Sequence, residues 1–202
     1  MNSFRTLLVA AGVAGLAACA TAPQSTTSSS SATTSTAASA AQADPQMATR
    51  STVQNARVNL ASASGSLVSG TLSIMPMGDG LHVTGEVGGL QPNSQHAIHI
   101  HENGDCSAAD ASSAGGHFNP HGSPHGRAGQ GAHHGGDMDN IVADANGVAQ
   151  VNVHASGVVL GGGAPNDAMG KAVIVHGGAD DYTSQPTGDA GNRVACGIIR
   201  AQ

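Results

Sequence analysis

Aromatic residues are almost missing from this chain: tryptophan is absent, tyrosine occurs once and phenylalanine twice in 202 residues. No large aromatic core can be built. Charge is scarce as well, at 10% of residues, while Gly, Ser, Thr and Ala abound. That balance excludes coiled coils, helical bundles and charged helical repeats. Basic residues number 7 against 13 acidic ones, Lys171 is the only lysine, and the formal net charge is -6. A nucleic-acid binder needs a basic face, so that class is excluded. The length predicts one domain with an appendage. What the chain has in quantity is glycine, 29 residues, and histidine, 11 residues, more than all its lysine and arginine together.

The first segment reads as an address. In residues 1–19, Arg5 precedes an apolar run of roughly a dozen residues, too short to cross a bilayer and ending in small residues, as a secretory signal does. Leu16-Ala17-Ala18-Cys19 resembles a bacterial lipobox, in which Cys19 is lipidated and becomes the new N-terminus; an ordinary signal with nearby cleavage is the alternative. Residues beyond it are mostly Ser, Thr and Ala, with too little apolar surface to bury, and predict a disordered tether reaching roughly 30 Å. The expected organisation is a lipoprotein signal peptide over 1–18, a lipidated cysteine and linker over 19–52, and a folded domain over 53–202. The mature chain is then expected outside the cytoplasm, held to a membrane by its anchor, where disulfides persist.

From about Val53 onward, apolar residues alternate with period two. Leu67, Ser69, Thr71 and Ser73 interleave with Val68, Gly70, Leu72 and Ile74; a Gly78-Asp79-Gly80 turn leads to Leu81–Val87. Asn146-Gly147 between Ile141–Ala143 and Val148–Val153 predicts a hairpin. Ala97–Glu102, Ala172–His176 and Val194–Arg200 are further strands, and no capped helical pattern occurs in this region. With two long Gly-rich loops, 104–139 and 177–192, the fold expected is all-β: an eight-stranded Greek-key β-sandwich or barrel.

Beyond Cys19 only Cys106 and Cys196 remain. In an oxidising compartment such an isolated pair predicts one disulfide, with a redox-active or metal-binding thiol pair as the alternative, which lacks CxxC spacing.

The histidines resemble a ligand array. His99 and His101, at i and i+2 of a strand, project from one face about 6.6 Å apart at Cα, so two imidazoles can meet one ion. In the following loop His117, His125, His134 and Asp137 offer three imidazoles and a carboxylate, a complete tetrahedral zinc set, in a stretch long enough to need something that orders it. His121 and His133 are assigned to the solvent, His82 and His154 to packing or surface, and His96 to a structural hydrogen bond.

Taken in order, His99-x-His101, Gly104-Asp105-Cys106, Gly115-Gly116-His117-Phe118-Asn119-Pro120, His125-Gly126, His134-x-x-Asp137, Val175-His176, Asp180-Asp181-Tyr182 and the run Gly191–Gly197 resemble the copper/zinc superoxide dismutase family, in a form like its bacterial branch. The resemblance covers residues 53–202. It implies one copper and one zinc ion per subunit. Copper would be held by His99, His101, His117 and His176, and zinc by His117, His125, His134 and Asp137, with His117 shared. Asp180 would link a copper histidine to a zinc histidine, Arg193 would attract and position superoxide, and Cys106–Cys196 would be the intrasubunit disulfide. The implied reaction turns two superoxide anions and two protons into dioxygen and hydrogen peroxide, with His117 as a proton source, in a lipoprotein of the bacterial envelope facing the periplasm or the exterior. A homodimer is compatible with the resemblance, although interface aromatics are scarce. Residues 107–113 and 183–186 contain no lysine, so steering falls to Arg193, with Arg127 as a second candidate. Ala97 and Ile98 stand where the family carries Gly and a bulky aromatic, a change expected to alter packing rather than ligation.

Overall fold

A computed structural model describes residues 46–202. The expected signal peptide, Cys19 and most of the expected linker lie outside the described residues. Ten strands follow one another: β1 (Ala56–Ser62), β2 (Ser69–Met77), β3 (Gly80–Gly88), β4 (Gln95–His96), β5 (Ile98–His101), β6 (Ile141–Val142), β7 (Ala149–Ser156), β8 (Ala172–His176), β9 (Arg193–Ile198) and β10 (Arg200–Ala201). The main sheet runs β5-β8-β9-β1-β2-β3-β7, with β10 also on β1, and every ladder is antiparallel.

Alternation decides which face each strand buries. Val58 and Leu60, Leu72 and Ile74, Leu81 and Val83, and Val151 and Val153 point inward, while Arg57, Asn59, Thr71, Glu86, Gln150 and Asn152 stay out. Apart from Phe118 and Met138 the core is aliphatic, as the scarcity of aromatics requires; each such side chain contributes about 1.5–3 kcal/mol on burial. The two edges are brought together by a short ladder. β4 enters edge strand β5, β6 leads towards edge strand β7, and β4 pairs with β6 through Gln95↔Val142 and His96↔Ile141. The sheet therefore curls on itself, with the Greek-key crossovers spanning its ends.

Two strands are buried on both faces, and these carry the chemistry. In β8, Val173 and Val175 join the barrel core, whereas Ala172 and Ile174 form a second cluster outside it with Ala111, Ala114 and Cys196. In β5, Ile98 and Ile100 face the core. His99 and His101 take the opposite face, beside Ile174 and Ala172 in register. Both histidines have no solvent exposure because the long loop covers them.

Two details depart from the expected strands. Leu67 precedes β2 and is 86% exposed. Asn146-Gly147 does form a turn, with Asp144 Oδ1 accepting the N–H groups of Asn146 and Val148, yet its arms are joined only briefly, by the Ala143↔Ala149 bridge and the Asp144 N–H bond to Val148 O at 2.9 Å. β6 pairs with β4 instead, because closing the barrel uses that edge. At the N-terminal side, Thr52 and Val53 donate to Leu160 O, and Asn166 grips both the N–H and the carbonyl of Ala48.

Candidate metal centre

The loop residues reach the site through backbone pairing with β5. Phe118 N–H donates to Ile100 O at 2.8 Å, Ile100 N–H to Gly136 O at 2.9 Å, and Gly136 N–H to Phe118 O at 2.8 Å. This three-way junction sets His117 and Asp137 beside the β5 histidines. A Cβ on Gly136 would stand 2.1 Å from Ile100 O, so only glycine lets the three backbones meet. His176 closes β8 at a register shift, and its N–H donates to Ala97 O.

Four histidines, His99, His101, His117 and His176, each bring one ring nitrogen to within 4.8 Å of the others. Every one of them is buried, and each has one buried nitrogen with no hydrogen-bond partner: Nδ1 of His99 and Nε2 of His101, His117 and His176. Native proteins rarely leave buried polar atoms unpartnered. The other ring nitrogens are occupied. His99 Nε2–H donates to Asp180 Oδ2 at 2.8 Å, His101 Nδ1–H to Gly115 O at 3.0 Å, and His176 Nδ1–H to Gly191 O at 3.3 Å. These bonds fix the tautomers, so the four free nitrogens are lone pairs aimed at a common point, a donor set that suits copper.

The second set shares His117. Around Asp137 Oδ1 lie His117 Nδ1 at 2.9 Å, His125 Nδ1 at 3.0 Å and His134 Nδ1 at 3.3 Å, and His134 Nδ1 is 3.4 Å from His117 Nδ1. Ligands about 2.0–2.1 Å from a tetrahedral zinc stand about 3.3 Å apart, so these donors fit that ion. His117 thus turns Nδ1 to one pocket and Nε2 to the other.

Asp180 ties the pockets together: its Oδ1 accepts from His125 Nε2–H at 2.9 Å while its Oδ2 serves His99. Asn140 holds Asp180 in turn, accepting its N–H at 2.8 Å and donating to its carbonyl at 2.9 Å. Gln185 does the same for His125. Neither amide was anticipated from sequence; a lone Asn or Gln in a loop carries no spacing signal. His96 was expected as a hydrogen-bonder, and its Nδ1–H donates to His176 O at 2.9 Å.

Electrostatics follow from burial. Desolvation pushes His99 down to about 4, His101 to about 2 and His176 to about 3, so these rings are neutral ligands at pH 7. Burial lowers His134 also. Burial would likewise lower His125, but its bonds to Asp137 and Asp180 outweigh that and raise it to about 9. Burial alone would raise both carboxyls; hydrogen bonds from His117 and His125 to Asp137, and from His125 and His99 to Asp180, hold them well below the ordinary carboxylate range.

Arg193, half-buried at the start of β9, donates Nη1–H to Ala111 O at 2.7 Å and Nη2–H to Gly115 O at 2.6 Å. Gly115 O is also the partner of His101, which brings the guanidinium to the edge of the four-histidine pocket. Cys106 and Cys196 are bonded across 90 positions, stapling the loop that carries Ala111 and Gly115 to the strand that carries Arg193. Arg127 is committed elsewhere, with Nε 2.7 Å from Asp139 Oδ1 and the guanidinium over the Tyr182 ring. His121 and His133 stay outside both pockets, as expected, bonding to Gly157 O and His134 O. His82 and His154, assigned to packing or surface, are direct cross-strand partners.

Comparisons with known proteins agree with this geometry. Residues 68–199 match a family model described as copper/zinc superoxide dismutase (SODC). Superoxide dismutase (Cu-Zn) 2 of Aquifex aeolicus is 39% identical over 148 residues, covering 72% of this chain and 86% of that protein. Superoxide dismutase (Cu-Zn) of Cordyceps militaris is 43% identical over 123 residues, covering 58% and 78%. Among solved structures, a SOD-like protein from Bacillus subtilis is 34% identical with a TM-score of 0.63, covering 70% of this chain and 96% of that one. The clock protein EA4 is 35% identical with a TM-score of 0.66, covering 75% and 97%.

Proposed function

The chain belongs to the copper/zinc superoxide dismutase family, and on that premise we propose that His99, His101, His117 and His176 hold its copper while His117, His125, His134 and Asp137 hold its zinc. The enzyme converts two superoxide anions and two protons into dioxygen and hydrogen peroxide. The observation that carries the assignment is the pair of buried donor sets sharing His117, one of them made of four unpartnered nitrogens. Copper bound by those nitrogens supplies the one-electron acceptor and donor the reaction needs, a role that redox-inert zinc does not take.

The protein's own groups do the rest. Arg193 keeps its charge beside the pocket because two backbone carbonyls accept its hydrogens without neutralising it. Its remaining N–H groups attract and orient the anion, raising its local concentration. With Arg127 paired to Asp139, Arg193 carries that role without its help. With zinc on Nδ1, where Asp137 lies 2.9 Å away, the ring of His117 would be held in place and would carry its proton on Nε2 whenever no metal takes that lone pair, ready to pass to the reduced substrate. Asp180 orients His99 and His125 together, so the pockets share a rigid wall.

Superoxide decay measured with metal-loaded protein tests these roles. Arg193→Ala is expected to slow it about tenfold at low ionic strength with both metals retained, and an unchanged rate overturns the steering role. His117→Ala is expected to abolish rapid turnover, and full activity after its loss overturns the bridge.

The reading extends to location: an envelope lipoprotein anchored through Cys19, disposing of superoxide outside the cytoplasm. Leu16-Ala17-Ala18-Cys19 and the Ser/Thr/Ala-rich stretch after it support this. Cys19→Ala is expected to move the protein from the membrane fraction to the soluble one; an unchanged distribution overturns the anchor.

A further inference from the structure

On the outer face of the barrel, away from the two buried pockets, three strands align side chains that bind soft metals. Register pairs Met75 of β2 with His82 of β3, and His82 with His154 of β7. All three point outward, since their neighbours Ile74, Leu81, Val83, Val153 and Ala155 are the buried ones. Directly opposed residues on one face of an antiparallel pair have Cβ atoms about 4.5–5.5 Å apart, close enough for two imidazoles to grip one ion. Side chains on this face do close that gap: four residues along the same strands, Gln150 Nε2 donates to Glu86 Oε2 at 2.8 Å.

The row has an anionic end. Asp79, in the turn between β2 and β3, lies 3.0 Å from His154 Nε2 through its Oδ1. It also has a soft end. Met75 is 42% exposed and Met77, two residues on along the same face, 51%. Among the described residues the large apolar side chains left exposed are Met47, Leu67, Met75, Met77 and Val142, so three of the five are methionines, with Met75 opposite His82 and Met77 opposite Gly80, two residues before it. Thioether with imidazole is the ligand combination that favours copper(I) over zinc.

We propose that Met75, His82 and His154 form a second, solvent-facing site that takes copper(I), with two imidazole nitrogens and one thioether sulfur as donors and Asp79 holding His154. The site needs no redox step: neutral imidazoles and the sulfur give lone pairs to an ion that arrives already reduced. It rests on strand register, the Asp79–His154 contact and the exposure of Met75, and stands whether or not the buried centre turns over superoxide.

The test is anaerobic competition between the full chain, its buried sites first filled with copper and zinc and verified by metal analysis, and a chromophoric copper(I) chelator. The wild-type protein is expected to take up about one further copper(I) per chain. His82→Asn is expected to abolish that uptake, and Met75→Leu to weaken it about tenfold while leaving zinc uptake by the same surface unchanged. Superoxide decay and thermal unfolding are expected to stay at wild-type values in both variants, which separates this site from the buried one. A loaded wild-type chain that takes up no further copper(I) overturns the proposal, as does an extra equivalent that survives both substitutions.

Discussion

The side-chain amide of Gln185 holds both backbone polar groups of His125: Oε1 accepts its N–H at 2.8 Å and Nε2 donates to its carbonyl at 2.9 Å. A residue of the second long loop thereby fixes a zinc-set residue of the first. Gln185→Ala removes both bonds, each contributing about 1 kcal/mol, and is expected to weaken zinc binding about tenfold. Competition against a chromophoric zinc chelator checks this. Copper content is expected to change little, because none of the four-histidine donors hangs on Gln185.

Gly188 admits no side chain. Its φ is +69°, and a Cβ would fall 1.8 Å from Asp180 Oδ1 and 2.8 Å from His125 Nε2. Gly188→Ala is expected to destabilise the fold by about 1–2 kcal/mol from backbone strain, and to lower zinc affinity by displacing Asp180. Thermal unfolding of the metal-free and zinc-loaded forms separates the two effects; equal losses in both forms contradict the displacement.

Above pH 6.5 the response of the metal-free protein to pH turns on His125. Its folded value, about 9, lies above the ordinary 6.5. Stability from this group is therefore complete below about pH 6.5 and is lost as pH rises through about 9. Zinc must displace that proton, so at pH 7 binding is expected to release about one proton from His125, and affinity to climb about tenfold per pH unit from 7 towards 9. Calorimetry in buffers of different ionisation enthalpy reads the proton directly; zero release contradicts the assignment.

Reducing Cys106–Cys196 frees the loop that offers Ala111 O and Gly115 O to Arg193. With 90 positions between the cysteines, the chain-entropy estimate of the lost stability is about 4–5 kcal/mol. Superoxide decay by the reduced, metal-loaded enzyme is expected to slow as Arg193 loses its two acceptors. The double variant Cys106→Ala/Cys196→Ala is expected to match the reduced wild type, and a rate equal to the oxidised form counts against the positioning role.

Much of the site was legible in the chain because strand alternation is a local rule. The spacing of His99 and His101 already set them on one face, and the opposite parity of Ile98 and Ile100 set that face outside the core. His117, His125, His134 and Asp137 were readable as a zinc-type donor set from residue type alone. Asn140 and Gln185 were not, because a backbone clasp 40 or 60 residues away leaves no mark in local sequence. The Asn146-Gly147 turn is legible, but the hairpin it suggests stays short, because Ile141 and Val142 pair with β4 and a turn alone does not decide that competition.

Composition and periodicity were enough to dictate an aliphatic β-structure with scant charge and an excess of imidazole, because those properties depend on side-chain identity and two-residue spacing. Which nitrogen of each ring is left free depended on the assembled fold. His99 offers Nδ1 because Asp180, 81 residues away, occupies its Nε2; His101 offers Nε2 because Gly115 O occupies its Nδ1. Those partners come from two separate loops that only the folded chain brings to β5, and burial there makes each bond obligatory.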